Sequence, residues 1–323
     1  MWKRLGSLML AMTVAGMCLA GCSGGTSAQS GKTYPERKVE IIVGFGAGSG
    51  TDITARALSE PLSKVLGVPV VVTNIEGSQG LNGLEYVYKQ PADGYTLFLT
   101  TQTQLITQIN GLSEIKFTEE FMPVSRLVHD VTLITGNGQG RFKDFDEMKA
   151  LAEANPKDVK IAGLAATGLD GMIIKQFVES SGLELDLISF GGTGECKSAL
   201  LGGHVDLSID DVATAKPLIE DGELTGIVVL SEERLPGLPD VPCSVEKGID
   251  ATIGAWRGLS VRKGTDPEVI KTLEEAIVKA MEDPAWKEFV ETGMLDQRPG
   301  YANSEEFGKI WEEEYAFFET MVE

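Results

Sequence analysis

The sequence predicts an α/β fold, because short apolar runs rich in β-branched residues alternate with segments of helical periodicity. The clearest unit has an apolar run at residues 39–43, a glycine-rich loop at 44–52, and apolar residues at helical spacing up to Leu66. Alternation of this kind predicts layers of sheet and helix, with ligand-binding loops at the carboxyl ends of the strands. Further strands are predicted in the same way at residues 68–72, 95–99, 131–135, 159–164, 185–189 and 205–209.

The loop between the first strand and its helix has glycine at every second position from 44 to 50. Glycines let a ligand approach the backbone, and the start of a helix presents free N–H groups and a positive dipole end. The expected ligand is therefore an anion. Ser49, Thr51 and Ile53 break the spacing of a dinucleotide fingerprint. A P-loop ends in Gly-Lys-Ser/Thr, whereas this loop ends in Gly50-Thr51-Asp52 and so brings an acid. A plain βα turn, capped by Thr51 or Asp52, is the alternative.

The amino-terminal segment has the pattern of an export signal. Lys3 and Arg4 precede an apolar stretch at residues 5–17, which is shorter than the ~20 residues of a membrane span. The sequence Leu-Ala-Gly-Cys ending at Cys22 resembles a bacterial lipobox, which implies cleavage after residue 21 and a lipid on Cys22. Residues 22–33 are then a flexible tether. A plain secretory signal with a chance cysteine is the alternative.

Composition limits the functions of the remaining chain. Loss of the positive charges of Lys3 and Arg4 takes the formal net charge from −20 to −22, which does not favour binding to nucleic acid or anionic lipid. The length of about 300 residues suits two domains. Cys196 and Cys243 leave a disulfide open, because their separation in sequence says nothing about geometry.

Five motifs follow one another along the chain, at residues 34–38, 45–56 with 66–67, 92–97, 201–207 and 238–242. No single motif is diagnostic, but five in this order are. With them the chain resembles the tripartite tricarboxylate transporter substrate-binding proteins, the Bug-type extracytoplasmic solute receptors, and the resemblance covers residues 34–294.

The resemblance implies a periplasmic-binding-protein-like fold of type II, with two α/β lobes joined by two crossing strands and a ligand cleft between them. It implies a first lobe of residues 34–131 plus 256–323 and a second lobe of residues 132–255. The crossing back to the first lobe falls at Trp256, for which we expect a core or hinge position, with ligand contact as the alternative.

Members of this family grip a carboxylate with a first-lobe loop and close second-lobe loops over it. The polar residues 100–104, after the strand at 95–99, are predicted to form a loop and supply further candidates. The expected ligand-binding residues are Phe45, Gly46, Ala47, Gly48, Ser49, Thr51, Asp52, Thr101, Gln102, Ala166, Thr167, Gly168, Gly191, Gly192 and Asp210.

Two departures from the family pattern affect the expected site. Residues 165–169 have no histidine, and Phe190-Gly191-Gly192 stands where the family often has Tyr-Lys-Gly. We therefore expect no cation near the cleft, with recognition by N–H groups and hydroxyls, which counts against a tricarboxylate. Asp210 would pair with the ammonium of an amino-acid ligand or, for a plain carboxylate, with a hydroxyl or N–H of the protein.

The resulting expectation is a lipid-anchored, exported, monomeric receptor that hands a small organic anion to a membrane permease. The ligand could be a di- or tricarboxylate, an aromatic acid or an amino acid. A ligand-binding sensor lipoprotein and an enzyme on the same fold are the alternatives. His129 and His204 are too isolated to suggest catalysis, and no Cys/His pair has metal-ligand spacing, so we expect no catalytic residues, metal or cofactor.

Overall fold

The computed structural model describes residues 34–322, which form two five-stranded sheets. The predicted export signal, Cys22 and the tether lie outside the described residues. The first sheet contains β1 (Val39–Val43), β2 (Val70–Asn74), β3 (Thr96–Thr100), β4 (Phe121–His129) and β10 (Trp256–Arg262). The second sheet contains β5 (Thr132–Asn137), β6 (Lys160–Gly163), β7 (Asp186–Ser189), β8 (Leu207–Asp211) and β9 (Leu224–Leu230).

The two sheets have equivalent topologies. Their strand orders are β2-β1-β3-β10-β4 and β7-β6-β8-β5-β9. In each sheet three strands run parallel, and an antiparallel strand lies beside them: β10 pairs with β3, and β5 pairs with β8. The chain crosses between the sheets twice, from β4 to β5 and from β9 to β10. This is the two-lobed α/β architecture that the sequence predicts.

Helices cover the faces of both sheets, and most begin at a recognisable cap. Ser49 caps α1 with its hydroxyl, and Gly67 ends it at φ +71°. Asp266 and Asp283 cap helices that begin with proline. The helices are α1 (Gly50–Leu66), α2 (Leu81–Tyr88), α3 (Gln102–Ile109), α4 (Phe117–Glu120), α5 (Phe145–Ala154), α6 (Leu169–Ser181), α7 (Thr193–Leu201), α8 (Val212–Glu220), α9 (Pro267–Ala280), α10 (Pro284–Thr292) and α11 (Ser304–Val322).

Each lobe has its own apolar core. Residues of β1, β3 and β10 pack against α1 and α9 on one face of the first sheet, and β5, β6 and β9 pack against α5 and α6 in the second lobe. Phe318 of α11 packs against Ile106 of α3 and Met172 of α6, so a small apolar cluster also joins the lobes. The loops at the strand ends of each lobe are therefore attached to a packed core.

The predicted strands are all present, with boundaries shifted by one or two residues. Three strands were not predicted: β4, at an edge of the first sheet, β10, which lies between β3 and β4, and β9, at an edge of the second sheet. One loop is wrong. The polar residues after β3 do not form an open loop, because Thr101 caps α3 in a capping box with Gln104, and the helix begins at Gln102.

In residues 34–322 no helix is both long enough and apolar enough to cross a membrane.

Candidate functional site

A cavity of about 1140 Å³ lies between the two lobes at the carboxyl ends of their parallel strands. Its volume is slightly above the usual range for small-molecule sites. The first lobe supplies residues 44–47 after β1 and 76–80 after β2. The second lobe supplies Leu164 after β6, residues 190–195 after β7, and then Ser198, Ala199 and His204.

Five of the predicted ligand residues line this cavity. They are Phe45, Gly46 and Ala47 of the first lobe and Gly191 and Gly192 of the second. Gly192 precedes α7 as its N-cap, and no side chain caps the helix. The N–H groups of Thr193 and Gly194, in the first turn, have no partner within the helix. The cavity wall thus offers backbone donors and a helix dipole to an anion.

Four other predicted residues support the first-lobe loop and lie outside the cavity lining. The Asp52 carboxylate is 3% exposed and accepts hydrogen bonds from Gly48 N–H, Arg56 and Asn74, each at 2.9 Å. Burial alone would raise the pKa of Asp52, but these hydrogen bonds and the Arg56 charge outweigh it and lower the pKa. The hydroxyls of Ser49 and Thr51 bond to each other at 2.9 Å. These contacts hold the turn from which α1 starts.

The physical constraint that requires glycine differs among the four alternating glycines of this loop. Gly48 has φ +80°, and a methyl group built there would meet nothing within 4 Å, so its role is conformational. A methyl group at Gly50 would overlap the side chains of Arg257 and Asp211. A methyl group would also come within 2.7 Å of Gly80 Cα at Gly44 and of Glu76 Oε2 at Gly46. The close approach that the sequence suggests for this loop therefore occurs at three of its glycines, and the approaching groups belong to the protein.

Thr101 and Gln102 also lie outside the cavity lining. Both side chains are buried. The Gln102 amide donates to Gly254 O at 2.7 Å and accepts from Trp256 N–H at 3.1 Å. Gln102 therefore fastens α3 to the segment that crosses back into β10. Trp256 is fully buried, and its indole N–H donates to Glu314 at 2.6 Å, so it occupies a core position beside the crossing.

The second-lobe loop at 166–168 contacts the first lobe instead of lining the cavity. The Thr167 hydroxyl accepts a hydrogen bond from Gln79 Nε2 at 3.2 Å, and its carbonyl accepts one from Asn110 at 3.4 Å. A methyl group at Gly168 would stand 2.5 Å from Gln79 Oε1. Ala166 is exposed beside these residues. This loop meets Gln79 where the two lobes close.

No lysine or arginine of residues 34–322 lines this cavity, and the lysine of α7 is paired with an acid. Lys197, one turn into α7, places its Nζ atom 2.5 Å from Asp210 Oδ1, and the Thr135 hydroxyl donates to Asp210 Oδ2 at 2.5 Å. Burial raises the pKa of Asp210, while Lys197 and Thr135 oppose that shift. Both carboxylate oxygens of Asp210 thus have partners from the protein.

Sequence reasoning missed the loop after β2, which lines the cavity. Four consecutive residues there have positive φ: Gly77 at 116°, Ser78 at 49°, Gln79 at 57° and Gly80 at 85°. Such values are strained for serine and glutamine, and strain of this kind often accompanies function. The two glycines were a visible signal of a turn. Nothing in the sequence indicated that Ser78 and Gln79 would share the left-handed conformation.

The remaining titratable candidates have no arrangement typical of catalysis or metal binding. His129 ends β4, and burial, together with the charges of Arg298 and Arg126, lowers its pKa to about 3. His204 lines the cavity. Within residues 34–322 no group of three or more His, Cys, Asp or Glu side chains is placed to hold a metal ion. Cys196 and Cys243 are buried free thiols.

Two α/β lobes with a ligand-sized cavity at their strand ends define a two-lobed solute-binding protein of the periplasmic type. Residues 54–323 match the profile of the tripartite tricarboxylate transporter family receptor, and the chain belongs to this family. It is therefore an exported solute-binding receptor, as the resemblance in sequence predicts.

Individual relatives agree with this assignment. The protein BugT of Bordetella pertussis is 33% identical over 261 residues, which cover 79% of this chain and 80% of BugT. The structure of the periplasmic binding protein BugD has a TM-score of 0.80 at 26% identity, with 89% of this chain and 97% of BugD covered. MatC from Rhodopseudomonas palustris with bound malate has the same fold, with a TM-score of 0.79 at 24% identity over 90% of this chain and all of MatC.

Proposed function

We propose that this receptor captures a small organic carboxylate between its lobes and delivers it to the membrane permease of a tripartite tricarboxylate-type transporter. The observation that carries the proposal is the uncapped amino terminus of α7 at the cavity wall, opposite the loop at residues 44–47. Backbone N–H groups at a helix start favour anions. MatC, a protein of the same fold, has malate bound.

The surroundings of Asp210 favour a plain carboxylate over an amino acid. An amino-acid ligand would bring an ammonium group, for which an unpaired acid is the natural partner. Lys197 and Thr135 already satisfy both oxygens of Asp210. The proposed ligand contacts are the cavity-lining residues Phe45, Gly46, Ala47, Gly191 and Gly192, with Asp210 behind them holding Lys197 in place.

The proposal also covers export of the protein and its attachment to the membrane. We propose that residues 1–21 are removed, that Cys22 is lipidated, and that residues 22–33 tether a monomeric, non-enzymatic receptor to the outer face of the cell membrane. The proposed lobe division is 34–131 plus 256–323 and 132–255, and it supports closure around a ligand because β4 leads into β5 and β9 leads back to β10. A lobe motion about these crossings would present the closed form to a permease.

A thermal-shift screen tests the ligand class. A ligand that binds only the folded protein adds ~2.7 kcal/mol of stability at one hundred times its dissociation constant, which is easily measured. Malate and other dicarboxylates should raise the melting temperature, whereas neutral sugars and metal ions should not. A screen in which only sugars or metal ions stabilise the protein would contradict the proposal.

A variant of the cavity wall locates the site. Gly192 has φ −162°, which any residue adopts, and a methyl group there meets nothing within 4 Å. Gly192→Val should therefore fold normally, fill the space in front of the α7 N–H groups, and weaken binding of the carboxylate found in the screen at least tenfold. Gly308→Val in α11 is the control, because Gly308 is absent from the cavity lining. Unchanged affinity in Gly192→Val would place the site elsewhere.

A further inference from the structure

A second cavity, of about 540 Å³, lies beside the two crossings between the sheets. Its wall is formed by both crossings, by the loop at residues 231–236 after β9, and by residues 297–299 between α10 and α11. It shares no lining residue with the cavity at the strand ends. Its volume is within the usual range for small-molecule sites, which occur preferentially where domains meet.

Arg298 supplies a positive charge to this second cavity. Its Nη2 atom donates to Leu230 O, at the end of β9, at 3.1 Å, and its Nη1 atom lies too close to Gly254 for any Cβ atom there. The guanidinium is therefore held in place by backbone. Burial lowers the pKa of Arg298, and the charges of Asp130 and Glu232 only partly offset this shift. Buried charges are normally paired, so this guanidinium can still take a carboxylate.

The other basic groups of the lining do not supply such a charge. The guanidinium of Arg234 makes two hydrogen bonds to the carboxylate of Glu246, which lies outside the lining. Burial and nearby guanidinium charges lower the pKa of His129 to about 3, so its imidazole is neutral at pH 7. A neutral imidazole offers a hydrogen bond but no charge. Arg298 is thus the charged donor that a ligand can use.

Two acids of the loop after β9, Glu232 and Glu233, line the same cavity and are exposed. Of the charged side chains in this lining, only Arg234 forms a salt bridge among the described residues. The charge of Glu232 acts on Arg298, but no hydrogen bond joins the two side chains. A plain anion here would be repelled by the acids, and a plain cation by the guanidinium. The cavity is complementary to a ligand that carries both charges.

We propose that this cavity is a second small-molecule site, and that it binds a zwitterion of the free amino acid class. Arg298 pairs with the carboxylate of the amino acid, and the acids of the loop after β9 pair with its ammonium group. The buried side chains of Val131 and Leu235 supply the apolar part of the wall. The cavity at the strand ends has different chemistry, because no lysine or arginine of residues 34–322 lines it.

A thermal-shift screen of the twenty common L-amino acids tests the proposal on the wild-type protein. At least one should raise the melting temperature, since a ligand that binds only the folded form stabilises it. Two analogues of the amino acid with the largest shift then test the charges: the acid without the amino group and the amine without the carboxyl group. Each should bind at least tenfold more weakly in calorimetry, because it leaves one charge of the cavity unpaired.

Variants locate the bound amino acid. Arg298→Met removes the guanidinium and should abolish binding. The double variant Glu232→Gln and Glu233→Gln changes exposed residues only, so it should fold normally and bind the amino acid several-fold more weakly. Arg141→Met is the matched control, because Arg141 pairs with acids of the second lobe and lines neither cavity. It should bind the amino acid as the wild-type protein does.

Gly192→Val separates this site from the cavity at the strand ends. It should weaken carboxylate binding, as described above, and leave amino-acid binding unchanged. Loss of amino-acid binding in Gly192→Val, with binding retained in Arg298→Met, would overturn the second site. So would a screen in which no amino acid raises the melting temperature. An analogue with a single charge that binds as tightly as the amino acid would overturn the zwitterion. If Arg298→Met does not fold, the double variant decides, and wild-type affinity in it would overturn the proposal.

Discussion

Lys197 and Asp210 form an ion pair behind the cavity wall, with the ammonium nitrogen 2.5 Å from one carboxylate oxygen. The Asp210 side chain is 8% exposed and that of Lys197 20%. The pair joins α7, which begins at the cavity, to Asp210, the second-last residue of strand β8. Its electrostatic effect on a bound anion is close to neutral, because the two charges cancel at short range.

Asp210→Asn should release the positive charge of Lys197 towards the cavity. We expect the affinity for a carboxylate ligand to stay the same or to rise up to tenfold, while the melting temperature falls because a mostly buried pair is broken. Lys197→Met should do the opposite and weaken carboxylate binding, since it leaves an unpaired acid near the anion. Isothermal titration calorimetry on both variants measures the difference. A tenfold or greater loss of affinity in Asp210→Asn would mean that the ligand carries a cation.

The fold was predictable because its determinants are local. Buried parallel strands are continuous apolar runs, and caps such as Asp266-Pro267 mark helix starts within a few residues. Strand β4 escaped prediction because Pro123, Arg126 and His129 interrupt its apolar pattern. Arg126 is tolerated there because its guanidinium donates to the carbonyls of Pro299 and Gly300, which are distant in sequence.

The site was predictable only in part because its charges are paired by tertiary structure. The loops at 45–47 and 191–192 follow strands, so their place at the cavity could be inferred from the alternation of strands and helices. The pairing of Asp211 with Arg257 joins residues 46 positions apart on different sheets. Neither a local pattern nor the family motifs indicate that an arginine in a returning strand would meet the start of α1.

Gly48 and Gly67 provide a test of what the glycine-rich loop requires. Both have positive φ, +80° and +71°, and a methyl group at either position meets nothing within 4 Å. Gly48→Ala and Gly67→Ala should each lose roughly 1–2 kcal/mol of folding stability through backbone strain. Only Gly48→Ala should also weaken ligand binding, because Gly48 shapes the loop at residues 44–47. Urea unfolding and calorimetry separate the two effects, and an equal loss of affinity in both variants would contradict a local role.

Glu314 should make folding stability depend on pH. Burial raises the pKa of Glu314 to about 7, although hydrogen bonds from Trp256 and Gln102 and the charge of Arg126 oppose the shift. Because the folded protein holds this proton more tightly than the unfolded chain, the stabilisation is complete below pH 4.5 and is lost as the pH rises towards 7. Burial also raises the pKa values of Asp130 and Asp170, which act in the same direction.

Glu314→Gln isolates this contribution. Glutamine can still accept the hydrogen bond from the Trp256 indole but does not titrate. The fall in unfolding free energy between pH 5 and pH 8 should be smaller in this variant than in the wild-type protein, by up to about 3 kcal/mol. Glu319→Gln, a change at an exposed residue of the same helix, should leave the pH dependence as it is. Equal slopes in Glu314→Gln and wild type would show that Glu314 is ionised in the folded protein.

Gln79 combines backbone strain with a contact between the lobes, and the two can be separated. Its φ of 57° favours glycine, while its amide donates to Thr167 across the cleft. Gln79→Gly should relieve the strain and raise the free energy of unfolding by up to ~1 kcal/mol. It should also speed ligand dissociation several-fold, because the closed form loses an interlobe hydrogen bond.

Lys157→Gly is the matched control for Gln79. Lys157 also has positive φ, at 63°, but it lies between α5 and β6 on an exposed surface of the second lobe. The two variants should gain similar stability in urea unfolding, and only Gln79→Gly should change the dissociation rate in stopped-flow measurements with the carboxylate found in the screen. If Gln79→Gly gains stability and keeps the wild-type dissociation rate, the Thr167 contact does not hold the lobes closed. If it loses stability where Lys157→Gly gains, the contact outweighs the strain, and the loop after β2 stabilises the closed form even without ligand.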